Sequence, residues 1–149
     1  MGLFDFRDIK KRHKKKETIN IVCNADEVRI NDTIVTFPTS YSILKELIGE
    51  ASRIEPFKQT GINVYLWDEL GVYCSMPDPE HILMLMLIKD NGYDLGHQPR
   101  KNFNSHLLID GKVVTDEFPN INPNRPYIVR GLIKGQKLVA IAIGWNSKL

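Results

Sequence analysis

Residues 47–76 read LIGEASRIEPFKQTGINVYLWDELGVYCSM and join the end of a helix to a hairpin of two strands. Gly49 suits the left-handed backbone conformation that closes many helices. Aliphatic residues then alternate with aromatic ones over Asn63–Trp67, with the two-residue period of a strand. Asp68–Gly71 has the composition of a turn, and the apolar residues Val72–Met76 form the returning strand. This stretch therefore predicts a helix followed by a hairpin.

Upstream of that stretch, the sequence predicts a further hairpin and the helix itself. Asn31-Asp32 lies between two apolar runs and suits the positive φ angles of a tight hairpin turn. The hydroxyl of Thr39 or Ser40 can cap the helix that follows. The spacing of the apolar residues predicts one apolar helix face, formed by Ile43, Leu44, Leu47 and Ile48.

Downstream, turn signals and apolar runs predict more strands. His81–Lys89 is a continuous apolar run, which is typical of a central strand covered on both faces. Asp110-Gly111 is a strong signal for a type I′ hairpin turn, and two further strands flank Gly135-Gln136. Residues 50–62 and 91–104 contain breakers and polar residues, so we expect irregular, exposed loops there.

Together these elements predict an α+β fold: a mainly antiparallel sheet built from hairpins, with one short helix at residues 40–48 packed on it. We divide the chain into a basic N-terminal tail or short helix (residues 1–17) and a single α+β domain (residues 18–149). A chain of 149 residues can bury a core without disulfides. Cys23 and Cys74 lie in apolar runs and are expected to be buried free thiols.

The positive charge of the chain is concentrated in its first sixteen residues, which contain seven basic and two acidic residues. The other 133 residues sum to −3, so we expect a mildly acidic body and do not expect nucleic acid as its partner. The segment is interpreted as a solvated tail, a weak contact with an anionic membrane, or a nucleic-acid contact. Its basic run consists of Lys10, Lys11, Arg12, Lys14, Lys15 and Lys16.

The sequence lacks the motifs of common catalytic and cofactor sites. It has no GxSxG, HExxH, P-loop or GxGxxG motif, and its four histidines lack metal-ligand spacing. We therefore expect no enzymatic activity, no cofactor and no metal. The remaining enzyme hypothesis is a small-substrate pocket around Trp67, His81 and His97. No segment reads as a secretory signal or a membrane span, so a cytoplasmic location is expected.

Arg53 and the turn after Trp67 allow two interpretations. In the first, Arg53 pairs with Asp68 or Glu69 and ties the loop of residues 50–62 to the hairpin. In the second, Arg53, Tyr65 and Trp67 form an interaction hot spot, because protein interfaces concentrate these residue types.

The same residues carry a family resemblance. Gly49-x-x-x-Arg53 and Tyr65-x-Trp67-Asp68-Glu69-Leu70-Gly71-Val72, preceded by Ile30-Asn31 and Phe37-Pro38, resemble a group of uncharacterised bacterial domains that are often encoded near toxin loci. The resemblance covers residues 28–76. It implies an α+β domain and an immunity protein that neutralises a cognate toxin.

Two binding functions follow as hypotheses. The first is a cytoplasmic immunity protein that occludes a cognate protein toxin, with an acidic surface steering association with a basic partner. The alternative is a membrane-surface or scaffold adaptor anchored by the basic N-terminal segment. The candidate partner-binding residues are Arg53, Tyr65, Trp67, Asp68, Glu69, Asp90 and Asp94. Further acidic candidates for contact with the toxin, in predicted turns or loops, are Glu50, Glu55, Asp116 and Glu117.

Overall fold

A computed structural model describes residues 18–56, 63–75, 78–92 and 97–147 of the chain. Within these residues it contains eleven β-strands and one α-helix, and the predicted α+β class is confirmed. In chain order the elements are β1 (Asn20–Cys23), β2 (Val28–Ile30), β3 (Thr33–Val35), α1 (Tyr41–Ile48), β4 (Arg53–Pro56), β5 (Asn63–Trp67), β6 (Val72–Ser75), β7 (Met84–Ile88), β8 (His106–Ile109), β9 (Lys112–Val113), β10 (Tyr127–Lys134) and β11 (Lys137–Trp145).

The strands form two sheets rather than the single sheet predicted. The small sheet has the order β3-β2-β1-β8-β9, and the large sheet has the order β10-β11-β7-β6-β5-β4. All strand pairs are antiparallel except β1 and β8, which pair in parallel with Ile21 opposite Leu107. Parallel neighbours need a long crossover connection, and here all of β2–β7 lies between the two strands along the chain.

One hydrophobic core joins the two sheets and the helix. Ile21, Ile30 and Leu107 of the small sheet belong to the same buried cluster as Leu85 and Ile143 of the large sheet. The hydrophobic effect, through burial of this apolar surface, is the main contribution to the packing of the two sheets. Cys23 and Cys74 are buried free thiols, as predicted, and burial raises the pKa of each to about 12.

The turn residues behave as their sequences predict. Asn31 and Asp32 have φ angles of 49° and 67° between β2 and β3. Asp110 and Gly111 have φ angles of 52° and 80° between β8 and β9. Positive φ at both central residues is the geometry of a type I′ turn, so both predicted hairpins are confirmed.

The helix forms where the sequence predicts it. Ser40 Oγ accepts a hydrogen bond from the Ile43 amide at 3.2 Å, and Gly49, with φ 92°, donates to the Lys45 carbonyl at 2.9 Å. Leu44 and Ile48 enter the core, but 45% of Ile43 is exposed. The predicted apolar face was therefore too wide, because it included Ile43. A helix of two turns buries only a narrow stripe of side chains against the sheet, here Leu44 and Ile48.

Two predicted loops are more ordered than expected. Residues 53–56 form β4, which pairs with β5 at the edge of the large sheet, so the prediction of an irregular segment was wrong there. In the loop after β7, His97, Pro99 and Phe103 are buried. The Phe103 amide donates to the Ile88 carbonyl at 2.6 Å, which holds this loop against the end of β7.

The long apolar run contributes the predicted central strand, although only Met84–Ile88 forms it. Leu85 and Leu87 are buried in the core on one face of β7. On the other face Met84 and Met86 are half-buried, and Ile88 is buried in a second, smaller apolar cluster. In the described part of the chain, no helix has the length and apolar character needed to cross a membrane. The basic N-terminal segment, residues 1–17, lies outside the described residues.

Candidate functional site

Arg53 and Asp68 form a close ion pair at one end of the large sheet. Arg53 Nε donates to both carboxylate oxygens of Asp68, at 3.0 and 3.3 Å, and Arg53 Nη2 donates to Oδ1 at 3.2 Å. Arg53 begins β4, and Asp68 begins the turn after β5. β4 pairs with β5 so that Arg53 lies opposite Leu66, two residues before Asp68. The side chains of Arg53 and Asp68 are thereby brought together. Of the two predicted acidic partners, Arg53 therefore selects Asp68.

Asp68 also holds the loop that follows β7. Its Oδ1 accepts a hydrogen bond from the Arg100 amide at 3.0 Å, and its carbonyl accepts one from the Lys101 amide at 3.0 Å. Burial alone would raise the pKa of the Asp68 carboxyl, but hydrogen bonds from Arg53 and Arg100, with their positive charges, lower it. Asp68 is therefore a buried carboxylate that fixes three segments of the chain.

His97 and Glu55 extend this network, which we call the Arg53 cluster (Arg53, Glu55, Asp68 and His97). His97 Nδ1 lies 3.2 Å from Glu55 Oε2, and Arg53 forms an ion pair with Glu55. Arg53 Nη2 also donates to the Gln98 carbonyl at 2.7 Å. The carboxylates of the cluster are engaged by cations and amides. This arrangement orders the loop that follows β7.

The structure separates the candidate binding residues. Trp67 is 2% exposed and Tyr65 is 7% exposed, and both belong to the core. The Trp67 Nε1 group donates to the Gly49 carbonyl at 2.8 Å, and the Tyr65 ring meets the Tyr41 ring edge-on at 4.3 Å between centroids. These two aromatic side chains connect the helix to the sheet and offer little surface to a partner.

The acidic candidates occupy different environments. Glu69 is exposed and pairs with Lys101 at 2.7 Å, whereas Asp90 is half-buried and pairs with Lys137. Asp94 and the basic residues Lys10, Lys11, Arg12, Lys14, Lys15 and Lys16 lie outside the described residues. Among residues 18–56, 63–75, 78–92 and 97–147, no group of three His, Cys, Asp or Glu side chains is arranged to hold a metal ion.

A second group of carboxylates is exposed and forms no ion pair with any described residue. We call this group the unpaired carboxylates: Asp26, Asp32, Glu46, Glu50, Glu80, Asp116 and Glu117. Sequence reasoning named Glu50, Asp116 and Glu117 as acidic turn or loop residues and missed the others. Their common signal is position, because they lie in turns or loops or on the solvent side of α1.

Part of this acidic group lies around the helix. Glu46 is on the exposed side of α1, and Glu50 follows the helix directly. The Tyr41 amide donates to the Pro79 carbonyl at 2.8 Å, which brings the turn containing Glu80 to the first residue of the helix. Asp26 and Asp32 lie elsewhere, in the turns of the small sheet.

Arg125, a buried residue, forms a second ion pair, with the exposed Asp110, which sequence reasoning missed. Its Nη2 donates to Asp110 Oδ2 at 3.0 Å and its Nε to the Asn122 carbonyl at 2.9 Å, while Tyr127 OH donates to the Asn24 carbonyl. Asp110 belongs to a turn of the small sheet, and Tyr127 begins β10 of the large sheet. The Arg125 pair therefore connects the two sheets.

Comparison with known proteins identifies one family. A family model described as Domain of unknown function (DUF7738) matches residues 20–122. The match includes residues 28–76 and bears out the expectation of an uncharacterised domain family. Comparison with curated proteins and with solved structures gives no match.

Charge divides along the boundary of this match. Residues 20–122 contain fifteen acidic and eight basic residues, a net charge of −7. Residues 123–149 contain five basic residues and no acidic one. All seven unpaired carboxylates lie within the matched region.

Proposed function

We propose that this chain, which belongs to the family described as Domain of unknown function (DUF7738), is an immunity protein that neutralises a cognate bacterial toxin by stoichiometric binding. The carrying observation is the set of seven unpaired carboxylates on a matched region with a net charge of −7. Their charge is not compensated by described neighbours, so it is available to a basic partner.

The proposed mechanism is occlusion of the toxin's active site, with no chemical step on the toxin. An acidic surface raises the rate at which a basic protein is captured, and complementary charges fix the orientation in which the two proteins meet. In this proposal the protein acts in the cytoplasm.

Co-expression with the product of the neighbouring reading frame tests the proposal. We expect the two proteins to co-purify in a one-to-one ratio, and we expect this chain to restore growth of cells that express the neighbour. A neighbour that is toxic, folded and soluble but neither co-purifies with this chain nor is neutralised by it would refute the proposal.

Matched charge variants locate the interface. Glu46→Gln with Glu50→Gln and Asp26→Asn with Asp32→Asn remove the same charge from two separate exposed places. Each pair lowers long-range attraction equally, but only the pair at the interface also removes contacts. We expect the helix pair to weaken binding more, because Glu46 lies one helical turn from the exposed side chain of Ile43 and the turn of Glu80 contacts the first residue of the same helix.

The basic N-terminal run supports one alternative function, a membrane-surface adaptor. Each Lys or Arg near an anionic surface contributes about 1 kcal/mol of attraction. Flotation with vesicles that contain or lack phosphatidylserine tests it, with a variant lacking residues 1–16 as the control. Equal flotation of the full chain and the truncated variant would reject this adaptor.

A further inference from the structure

The outer edge of β10 is unlike the other sheet edges. The other edge strands, β3, β9 and β4, contain two to four residues, and β4 ends in Pro56. β10 contains eight residues and has no proline, and among the described strands it pairs with β11 alone. Among the described residues, no backbone hydrogen bond reaches Ile128–Lys134 from outside the β10–β11 pair. A strand edge of this length is a template for another extended segment.

The side chains of β10 define what such a segment must contain. Ile128, Arg130 and Leu132 occupy alternate positions on one face of the strand, before the bulge between Leu132 and Ile133. Ile128 and Leu132 are half-buried and Arg130 is exposed. An added strand places its own alternate side chains beside these three. The complementary segment therefore has an acidic residue to face Arg130, with an apolar residue two positions away on each side to face Ile128 and Leu132.

A groove lies beside the first half of this edge. It has a volume of about 240 Å³ and is lined in part by Pro123, Ile128, Arg130 and Asn146. A groove of this size accepts one side chain of a strand added to β10. Backbone hydrogen bonds then supply affinity, and the groove and Arg130 supply specificity.

Charge decides between the possible occupants of the edge. Residues 118–149 contain no acidic residue, so a second copy paired through β10 would add Arg130 and Lys134 to an already positive surface. The N-terminal run KKRHKKK of this chain is also basic. Both are disfavoured by repulsion, whereas an acidic strand of another protein is attracted.

We infer that the outer edge of β10 binds an extended segment of a protein partner in which an acidic residue lies between two apolar residues at alternate positions. This surface lies outside the family match and carries the opposite charge to the unpaired carboxylates. It therefore goes beyond the proposed function and adds a second binding surface.

A synthetic peptide tests the inference on the full chain. The probe is a fluorescein-labelled peptide with Val, Glu and Val at alternate positions and Thr between them, and the control peptide has Lys in place of Glu. We expect the Glu peptide to bind and the Lys peptide to bind at least about tenfold more weakly. We also expect binding to slow hydrogen exchange of amides in Ile128–Lys134.

Charge-reversed variants separate recognition at β10 from a general effect of charge. The double variant R130E/K134E should lose about tenfold in affinity for the Glu peptide and gain affinity for the Lys peptide. The double variant K45E/K112E makes the same change in charge at exposed lysines elsewhere and should bind like the wild type. A swapped preference cannot arise from partial unfolding of the variant.

Three outcomes would overturn the inference. These are a Glu peptide that does not bind, an equal loss of affinity in both double variants, and a concentration-dependent dimer that protects the β10 amides without peptide. The proposed function is tested separately from this inference. It predicts that R130E/K134E still neutralises the toxin, whether or not the peptide binds to β10.

Discussion

Asp68 shows how one buried carboxylate can fix several segments at once. We expect Asp68→Asn to lower the free energy of unfolding by about 1.5–3 kcal/mol, because the half-buried Arg53 loses one of its two carboxylate partners and keeps only Glu55. Urea denaturation at neutral pH measures this loss. Asp116→Asn removes an exposed carboxylate that has no ion pair with described residues, so it should leave the urea midpoint almost unchanged.

The contribution of Asp68 depends on pH in a defined direction. Its pKa in the folded protein is lowered from 3.8, so the folded state favours the ionised carboxylate. This stabilisation is fully present well above pH 3.8 and is lost as the pH falls through the folded pKa. The difference in stability between wild type and Asp68→Asn should therefore shrink in acid. A difference that grows in acid would contradict this role.

Substitutions of Gly71 and Gly111 distinguish two sources of lost stability, namely backbone strain at positive φ and a steric clash of the added Cβ. Both have positive φ, at 70° and 80°. A Cβ on Gly71 would lie 2.2 Å from the Phe103 amide nitrogen, whereas a Cβ on Gly111 meets no atom within 4 Å. We expect Gly111→Ala to cost about 1 kcal/mol and Gly71→Ala at least about 3 kcal/mol in unfolding free energy. Equal losses in urea denaturation would mean that Phe103 does not pack against this turn.

Sequence patterns predicted some residue contacts and missed others for a physical reason. Arg53 follows a helix and Asp68 ends a strand, so their pairing could be proposed from the adjacent elements. Arg125 lies in a loop rich in Asn and Pro, where no periodicity indicates burial. The presence of its partner Asp110 was already explained by the Asp110-Gly111 turn, so nothing in the sequence indicated the ion pair.

At the scale of elements, Arg125 connects the two sheets through a geometry that lysine cannot reproduce. Its planar guanidinium donates to Asp110, Asn122 and Asn24 at once. We expect Arg125→Lys to lower the free energy of unfolding by about 2–4 kcal/mol, measured by urea denaturation. Arg130→Lys changes an exposed residue of β10, the strand that follows Arg125, and should stay within about 0.5 kcal/mol of the wild type. Similar losses in the two variants would show that Arg125 does not connect the sheets.

Hairpins were predictable, whereas the division into two sheets was not. Asn31-Asp32 and Asp110-Gly111 specify their turns locally, because few residue pairs accept positive φ at both positions. The parallel pairing of β1 with β8 has no local signal in the sequence, because the paired strands are far apart along the chain. The hydrogen bond from Ile19 to Ser105, just before the two strands, spans 86 residues. β4 was missed because Pro56 indicates a break, although proline is tolerated at the end of an edge strand.

At the scale of the whole molecule, net charge differs between two regions of the chain. The region that matches the family has a net charge of −7, and residues 123–149 have only basic charges. The net charge of +2 for the full chain conceals this division, although the sequence already predicted a mildly acidic body. The spatial placement of the unpaired carboxylates required the structure, because the same residue types also form the ion pairs of Asp68 with Arg53 and of Asp110 with Arg125.

The central claim is that an acidic surface of the matched region captures a basic protein toxin. The most direct test is the association rate constant of the purified chain with the product of the neighbouring reading frame, measured by stopped-flow fluorescence at low and at physiological salt. We expect the rate to fall by about tenfold or more as salt increases, and to fall at low salt when Glu46 and Glu50 are neutralised. An association rate that responds neither to salt nor to these substitutions would contradict the account.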